Sequence, residues 1–328
     1  MMPFLRLIRV QNLLFIAFIQ FAMQEIIISP ILQTYGFENA LENSMISLLI
    51  IATVLIAAGG YVLNDYFDIK IDSINHPERQ IVGNQISRRF AMLFHQVLTG
   101  LGILVGLLLA YFARSYSLAL IFIIVPGLLW FYSASYKRQF LIGNLVVSFI
   151  ASLTVLIVGI TQLAFLQKEF GKLIFETPIP KQLYSWMGGF AVFAFICTWI
   201  REILKDMEDE RGDREMECHT MPIKWGVKKT KIFLYFLIVL SIIGLLVVNE
   251  FCIYFAGTLT IRYIIIGLIF PFCFLSYLIF KAKSPTDFHQ ASTLIKVIML
   301  IGVLYSFIFY YLQAKTFGIS LFNLFILK

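Results

Sequence analysis

Long apolar stretches broken by short polar ones set the rhythm of this chain. Residues 49–58, LIIATVLIAA, hold one polar side chain, Thr53. Runs of similar character and about 20 residues recur along the sequence, the length that crosses a hydrocarbon layer about 30 Å thick. They are apolar all round rather than along one stripe, which predicts helices in lipid and not barrel strands. Nine are expected, at about 10–32, 44–64, 90–112, 116–136, 140–166, 183–204, 230–249, 260–280 and 291–312. Connections on one side are short and mostly polar; the other side has two long ones, roughly 65–89 and 205–229. No Gly/Ser-rich or Pro-rich linker divides the chain, so residues 1–328 are expected to form a single unit.

Composition agrees. Of 328 residues, 60% are hydrophobic and 14% charged, against about a quarter charged in soluble domains. The opening MMPFLRLIRVQNLLFIAF places positive charge before a long apolar run with no small-residue cleavage site, and reads as a first spanning helix rather than a cleaved signal. The four cysteines are scattered, with no C-x-x-C pair, and the four histidines are dispersed; disulfides and zinc find no support. In so apolar a chain, the net charge of +7 points to loops facing anionic lipid, not to nucleic acid.

Lys and Arg give an orientation. With the N-terminus inside, eighteen fall on the inner side, seven on the outer side, and Lys296 lies within the last helix. Cytoplasmic loops carry such an excess, so the N-terminus and both long loops are expected to be cytoplasmic and the C-terminus outside. The heavy use of Ile, Phe, Lys and Asn suits a bacterial inner membrane.

Twelve of the nineteen acids lie in two segments on that inner side. The first holds Asp65, Asp68 and Asp72; the second holds Asp206, Asp209 and Asp213. Each second-segment residue follows its counterpart by 141 positions, and both segments read D-x-x-D-x-x-x-D. Three coincidences at one offset suggest duplication of a four-helix unit. Positions i, i+3 and i+7 share a helix face, so each triad is expected to aim its carboxylates into one space. Like charges so placed repel, more strongly at the lower dielectric of a membrane edge, and stay ionised only against a cation.

Hard oxygen ligands favour Mg2+ or Ca²⁺. Mg2+ takes one or two carboxylates and completes its shell with water and substrate phosphate oxygens. Two facing stripes therefore suggest a diphosphate bridged by Mg2+. Lys205, Arg211, Arg79 and Lys137 with Arg138 could supply further positive charge. A diphosphate on an apolar tail fits a lipid setting, head at the inner interface and tail between helices, with aromatic faces to shield an allylic cation. A single stripe would also suit a merely solvated helix end. A cation transporter is a second reading, since membrane carboxylates often mark ion paths, but these acids cluster on one side. A CDP-alcohol phosphotransferase is a third, but its D-G and A-R pattern is missing from both segments.

The motifs NDYFDIKIDSINHPER (64–79) and REILKDMEDERGD (201–213), with RVQN (9–12) and LIGN (141–144), resemble those of the UbiA superfamily of intramembrane prenyltransferases, and the wording of the second is similar to the branch that alkylates geranylgeranylglyceryl phosphate. The resemblance covers nearly the whole chain. It implies an all-α membrane protein with nine transmembrane helices in two four-helix halves plus one, and a central cavity open to lipid. It implies Mg2+-dependent loss of diphosphate from an isoprenyl diphosphate, with geranylgeranyl diphosphate a candidate donor, and capture by a lipophilic acceptor. That acceptor is a glycerol phosphate hydroxyl or, in other branches, a quinone, haem or chlorophyll-type precursor. On this likeness Asn64, Asp65, Asp68 and Asp72 hold one metal, and Asp206, Asp209 and Asp213 the other. Arg79, Lys137 and Lys205 neutralise the diphosphate, and Arg9 and Asn12 contact the acceptor. One departure is ERQIVGNQIS (78–87), where relatives often carry a proline after the arginine.

Overall fold

The computed structural model describes residues 2–37, 41–75, 77–78, 80–321 and 325–326. Among them, nine helices are long and apolar enough to cross a membrane. They are α1 Val10–Thr34, α2 Asn43–Asn75, α3 Arg88–Phe112, α4 Tyr116–Ala134, α5 Ile142–Phe170, α6 Ile179–Glu208, α7 Met221–Phe251, α8 Leu259–Lys281 and α9 Pro285–Phe317. A short antiparallel pairing of 320–321 with 325–326 follows α9. Large side chains such as Leu104, Ile266 and Phe270 are well over half exposed. That much apolar surface is foreign to a soluble protein and is the lipid face of a multi-pass membrane protein.

Number and order of helices match the apolar pattern; several ends do not. The chain of α2 does not leave its helix at 64 but continues to Asn75, so the first acid motif is helical throughout. Polar residues looked like loop, yet beyond the apolar layer their side chains find partners on other elements, Asp68 in Lys137 and Asn75 in Gly212, and the helix continues. Likewise α7 begins at Met221 and α9 at Pro285, each with proline in its first turn, where the missing N–H costs nothing. Ser284 and Asp287 close a capping box at the start of α9, satisfying two otherwise orphaned donors. The two long connections are therefore much shorter than expected.

Small residues let the helices approach closely. A Cβ on Gly59 of α2 would run into Thr99 of α3, and one on Gly102 would meet the Ile56 backbone N at 3.0 Å. His95 Nδ1 lies 2.9 Å from the Gly59 carbonyl across the same seam. One apolar core, including Ile27, Leu49, Val158, Leu183 and Phe309, joins α1, α2, α5, α6 and α9 at one end. A second, including Leu204, Leu237, Phe272 and Ile295, joins α6 to α9. At the other end, α2, α4 and α6 finish beside the starts of α1, α3, α5 and α7, and there the acids gather.

Candidate active site

The first stripe stands on the last turns of α2. Asn64 Nδ2 donates to Asp68 Oδ2 at 2.7 Å, the i, i+4 contact of one helix face. Arg9 donates from its NH2 to Asp65 Oδ1 at 2.8 Å, and its guanidinium stands 5.1 Å from the Tyr61 ring centre. Arg9 joins the short helix Met2–Leu7 to α1 with φ 52° and ψ 56°, a left-handed conformation that costs a non-glycine residue about 1–2 kcal/mol. Asn12, half-buried in the first turn of α1, donates its backbone N–H to the Arg9 carbonyl at 2.8 Å.

Lys137 sits in the tight turn Tyr136–Arg138 between α4 and α5 and pairs with Asp68, which is buried. Gly143 makes this approach possible. A Cβ there would fall 2.6 Å from the Tyr136 carbonyl oxygen and 2.8 Å from Lys137 Cα. Burial works against the Lys137 charge, but Asp68 holds its ammonium above the ordinary lysine range.

The second stripe departs from its expected form. Asp206 is on α6, but Asp209 interrupts the helix at φ −92°, ψ 7°, and Asp213 lies on the separate short helix Glu210–Glu215. The three do not share one continuous helix as the spacing suggested. They converge nevertheless: Asp206, Asp209 and Asp213 line one pocket with Asp72, Lys137 and Lys205. Asn144 Nδ2 donates to Asp206 Oδ2 at 2.9 Å, and Thr220 Oγ1 donates to Asp213 Oδ2 at 3.1 Å. Lys205 also reaches Glu202 Oε2 at 3.4 Å. Burial, then the charge of Asp68, pushes Asp72 up to about 6. Burial, then the charge of Asp209, does the same to Asp213, also to about 6.

Asn75 fastens the stripes together: its Nδ2 donates to the Asp209 carbonyl at 3.1 Å and its Oδ1 accepts from Gly212 N at 2.9 Å. Sequence reading missed it, although Asn75 follows Asp72 by three positions on the same face. It also passed over Glu202, which is buried between Arg201 and Lys205. Arg79 lies outside the described residues.

Among the described residues, no three His, Cys, Asp or Glu side chains are close enough together to hold a metal ion. Arg9, Lys137, Asn144 and Thr220 engage four of the carboxylates instead. The donor chemistry still suits Mg2+: the converging ligands are carboxylates and carboxamides, hard oxygens that share such an ion with phosphate oxygens and water.

Residues 27–301 match the UbiA prenyltransferase family, and the chain belongs to it. The digeranylgeranylglyceryl phosphate synthase of Methanosphaera stadtmanae is 30% identical over 305 residues, covering 92% of this chain and 97% of that one. A solved structure concerned with digeranylgeranylglyceryl phosphate synthase in membranes aligns with a TM-score of 0.61 at 26% identity, over 93% of this chain and 96% of that chain. A UbiA homolog from Archaeoglobus fulgidus, solved with DMAPP and Mg2+, shares the fold with a TM-score of 0.56 at 16% identity, over 94% of this chain and 99% of its own.

Proposed function

We propose that this member of the UbiA prenyltransferase family transfers the geranylgeranyl group of geranylgeranyl diphosphate to a hydroxyl of geranylgeranylglyceryl phosphate, forming an ether lipid. The observation that carries the reading is the shared pocket: Asp72 of the first stripe faces one space with Asp206, Asp209 and Asp213 of the second, together with Lys137 and Lys205. A diphosphate is the ligand whose charge and size suit two carboxylate groups with cations between them. The acceptor rests on the relatives, which are named for that synthase.

Asn64, Asp65, Asp68 and Asp72 on one side, and Asp206, Asp209 and Asp213 on the other, are the residues that would hold Mg2+. Bound there, Mg2+ would draw negative charge from the diphosphate and make it a better leaving group. Lys137 and Lys205 stabilise the charge that grows on the departing oxygen, and Arg79 is assigned the same role. Arg9 and Asn12 orient the acceptor beside the first stripe. The bond from the prenyl C1 to the diphosphate oxygen breaks and its electron pair leaves with diphosphate. A lone pair of the acceptor hydroxyl forms the new C–O bond, and the hydroxyl proton is released. Tyr132, which lines the pocket, and Tyr61, whose ring lies beside Arg9, would offer ring surface to a developing allylic cation. The Lys and Arg bias supports a pocket and N-terminus on the cytoplasmic side of the cell membrane, with the C-terminus outside.

The purified protein should convert geranylgeranyl diphosphate and geranylgeranylglyceryl phosphate to the diether in a Mg2+-dependent manner, with the product identified by mass. Hydroxybenzoate should remain unprenylated. Asp65→Asn and Asp206→Asn should each abolish transfer; near-normal rates in both would remove the proposed mechanism.

A further inference from the structure

We infer that Lys296 and Arg201 form a second anion subsite, beside the acid-lined pocket, that takes the phosphate of the acceptor. The inference rests on the proposed acceptor and deepens it. Lys296 is a membrane-helix lysine that the charge pattern alone leaves without a purpose.

Its position follows from helix register. Helices α6 and α9 run antiparallel, and His289 Nδ1 lies 2.9 Å from Glu208 Oε1. Further along, Gly302 of α9 lies against the Phe193 ring of α6. Seven positions inward from His289 is Lys296, and seven inward from Glu208 is Arg201, so both lie at one depth, about 10 Å in. His289, Ser292 and Lys296 follow i, i+3, i+7 along α9; the His289 contact to Glu208 and the buried Ser292 mark the side next to α6, and Lys296 is exposed at its edge. Arg201, with Glu202 and Lys205 following it on α6, is accordingly the charged group level with Lys296.

Two cationic groups here are left incompletely matched by the protein. Glu202 is the acid beside them, and it already accepts from Arg201 NH1 at 2.6 Å and from Lys205 Nζ at 3.4 Å. Arg9 is matched by Asp65. Lys296 has no ion pair or hydrogen bond among the described residues, and Arg201 Nε is buried without a partner. An ionised group within a spanning helix is costly unless paired, and here Lys296 stands beside other cations. A lysine reaching only for the interface would gain by turning from them.

A phosphate answers both unmatched donors, since a guanidinium and an ammonium together recognise it. The pocket that Asp72, Asp206, Asp209 and Asp213 share already has its own cations in Lys137 and Lys205, so the acceptor phosphate is the ligand assigned to Lys296 and Arg201. Arg201 precedes Asp206 by five positions, about 7 Å along the helix, so two phosphate groups can lie side by side without sharing ligands.

The test compares wild type, Lys296→Met and Lys296→Arg, as full chains in lipid nanodiscs with geranylgeranyl diphosphate and Mg2+. Acceptors are geranylgeranylglyceryl phosphate and its dephosphorylated alcohol. Lys296→Met should raise KM for the phosphate-bearing acceptor about tenfold or more, while KM for the donor and the Mg2+ requirement stay unchanged. Lys296→Arg should retain most of the wild-type KM, and slow transfer to the alcohol should not respond to either substitution. An equal rise in donor KM would reassign Lys296 to the diphosphate, and unchanged values throughout would leave it an interfacial lysine; either overturns the inference while the proposed function stands. Transfer by wild type to an aromatic acid and to neither glycerol compound would overturn both. Should Lys296→Met fail to accumulate, inorganic phosphate serves as probe: it should compete with the acceptor in wild type and much less in Lys296→Gln, and equal competition in both would count against the subsite.

Discussion

Asn75 and Gly212 are bonded and packed against each other, 137 positions apart in the chain. Gly212 N donates to Asn75 Oδ1 at 2.9 Å, and a Cβ on Gly212 would lie 2.5 Å from Asn75 Nδ2. This contact, with the Asn75 bond to the Asp209 carbonyl, fixes how the end of α2 meets the short helix that carries Asp213. One carboxamide thus ties the two acid stripes together.

Asn75→Ala removes two hydrogen bonds worth about 1 kcal/mol each, and Gly212→Ala displaces the same side chain by overlap. Both variants should reach the membrane folded, with a modest loss in melting temperature. Their Mg2+ concentration for half-maximal rate should rise several-fold and their kcat fall about tenfold or more. Titrating activity with Mg2+ checks this; wild-type dependence in both would show that the stripes are held by other contacts.

The Lys137–Asp68 pair makes a different prediction. Asp68 is 4% exposed, so Lys137→Met leaves a buried carboxylate without its cation. Breaking a buried pair costs about 3–5 kcal/mol, and the partial exposure of Lys137 places this case toward the lower end. Thermal stability should drop, and activity should fall about 10²-fold or more because a donor to the leaving group is gone. Adding Asp68→Asn should recover the melting temperature without recovering transfer. Recovery of both would assign the lysine a structural role alone.

Acidity gives a third. Asp72 and Asp213 both stand at about 6 in the folded protein, above the ordinary 3.8, so their ionised forms cost stability. That cost is full above about pH 6, fades between 6 and 3.8, and is absent below. Metal-free protein should therefore melt at higher temperature as pH falls from about 7 to 5. Activity should fall over the same interval, because a protonated carboxylate holds no cation. Raising Mg2+ should move the activity midpoint to lower pH. Rate profiles at two Mg2+ concentrations, with melting curves beside them, test both signs; an activity midpoint indifferent to Mg2+ would contradict the account.

What the sequence revealed depended on locality. Asp65, Asp68 and Asp72 repeat at helical spacing beside an apolar run, so their common face was legible before any coordinates. The break at Asp209 was not, because EDERGD reads equally well as a continuing charged helix; the interruption comes with the Asn75 clasp, a tertiary contact. Asn144 was visible only as part of LIGN, since its bond to Asp206 spans two helices. Lys296 was passed over because its meaning lies in the register of α9 against α6, which no spacing within α9 encodes.

Gly143 supplies the last prediction, because it separates position from charge. Its missing side chain lets the turn Tyr136–Arg138 rest on the first turn of α5, where a Cβ would approach the Tyr136 carbonyl to 2.6 Å and Lys137 Cα to 2.8 Å. Those are backbone atoms of a tight turn, so the turn itself must move. Gly143→Ala leaves every charged group in place but shifts Lys137 away from Asp68. Overpacking of this kind costs about 1–3 kcal/mol, and a displacement near 1 Å at a positioned group costs about 10²-fold in rate. The variant should lose kcat with little change in donor KM, and Lys137 should become more reactive toward amine-directed reagents, read by peptide mass. Wild-type kcat with unchanged labelling would mean that the turn accommodates a methyl group, and that the Lys137 position is set elsewhere.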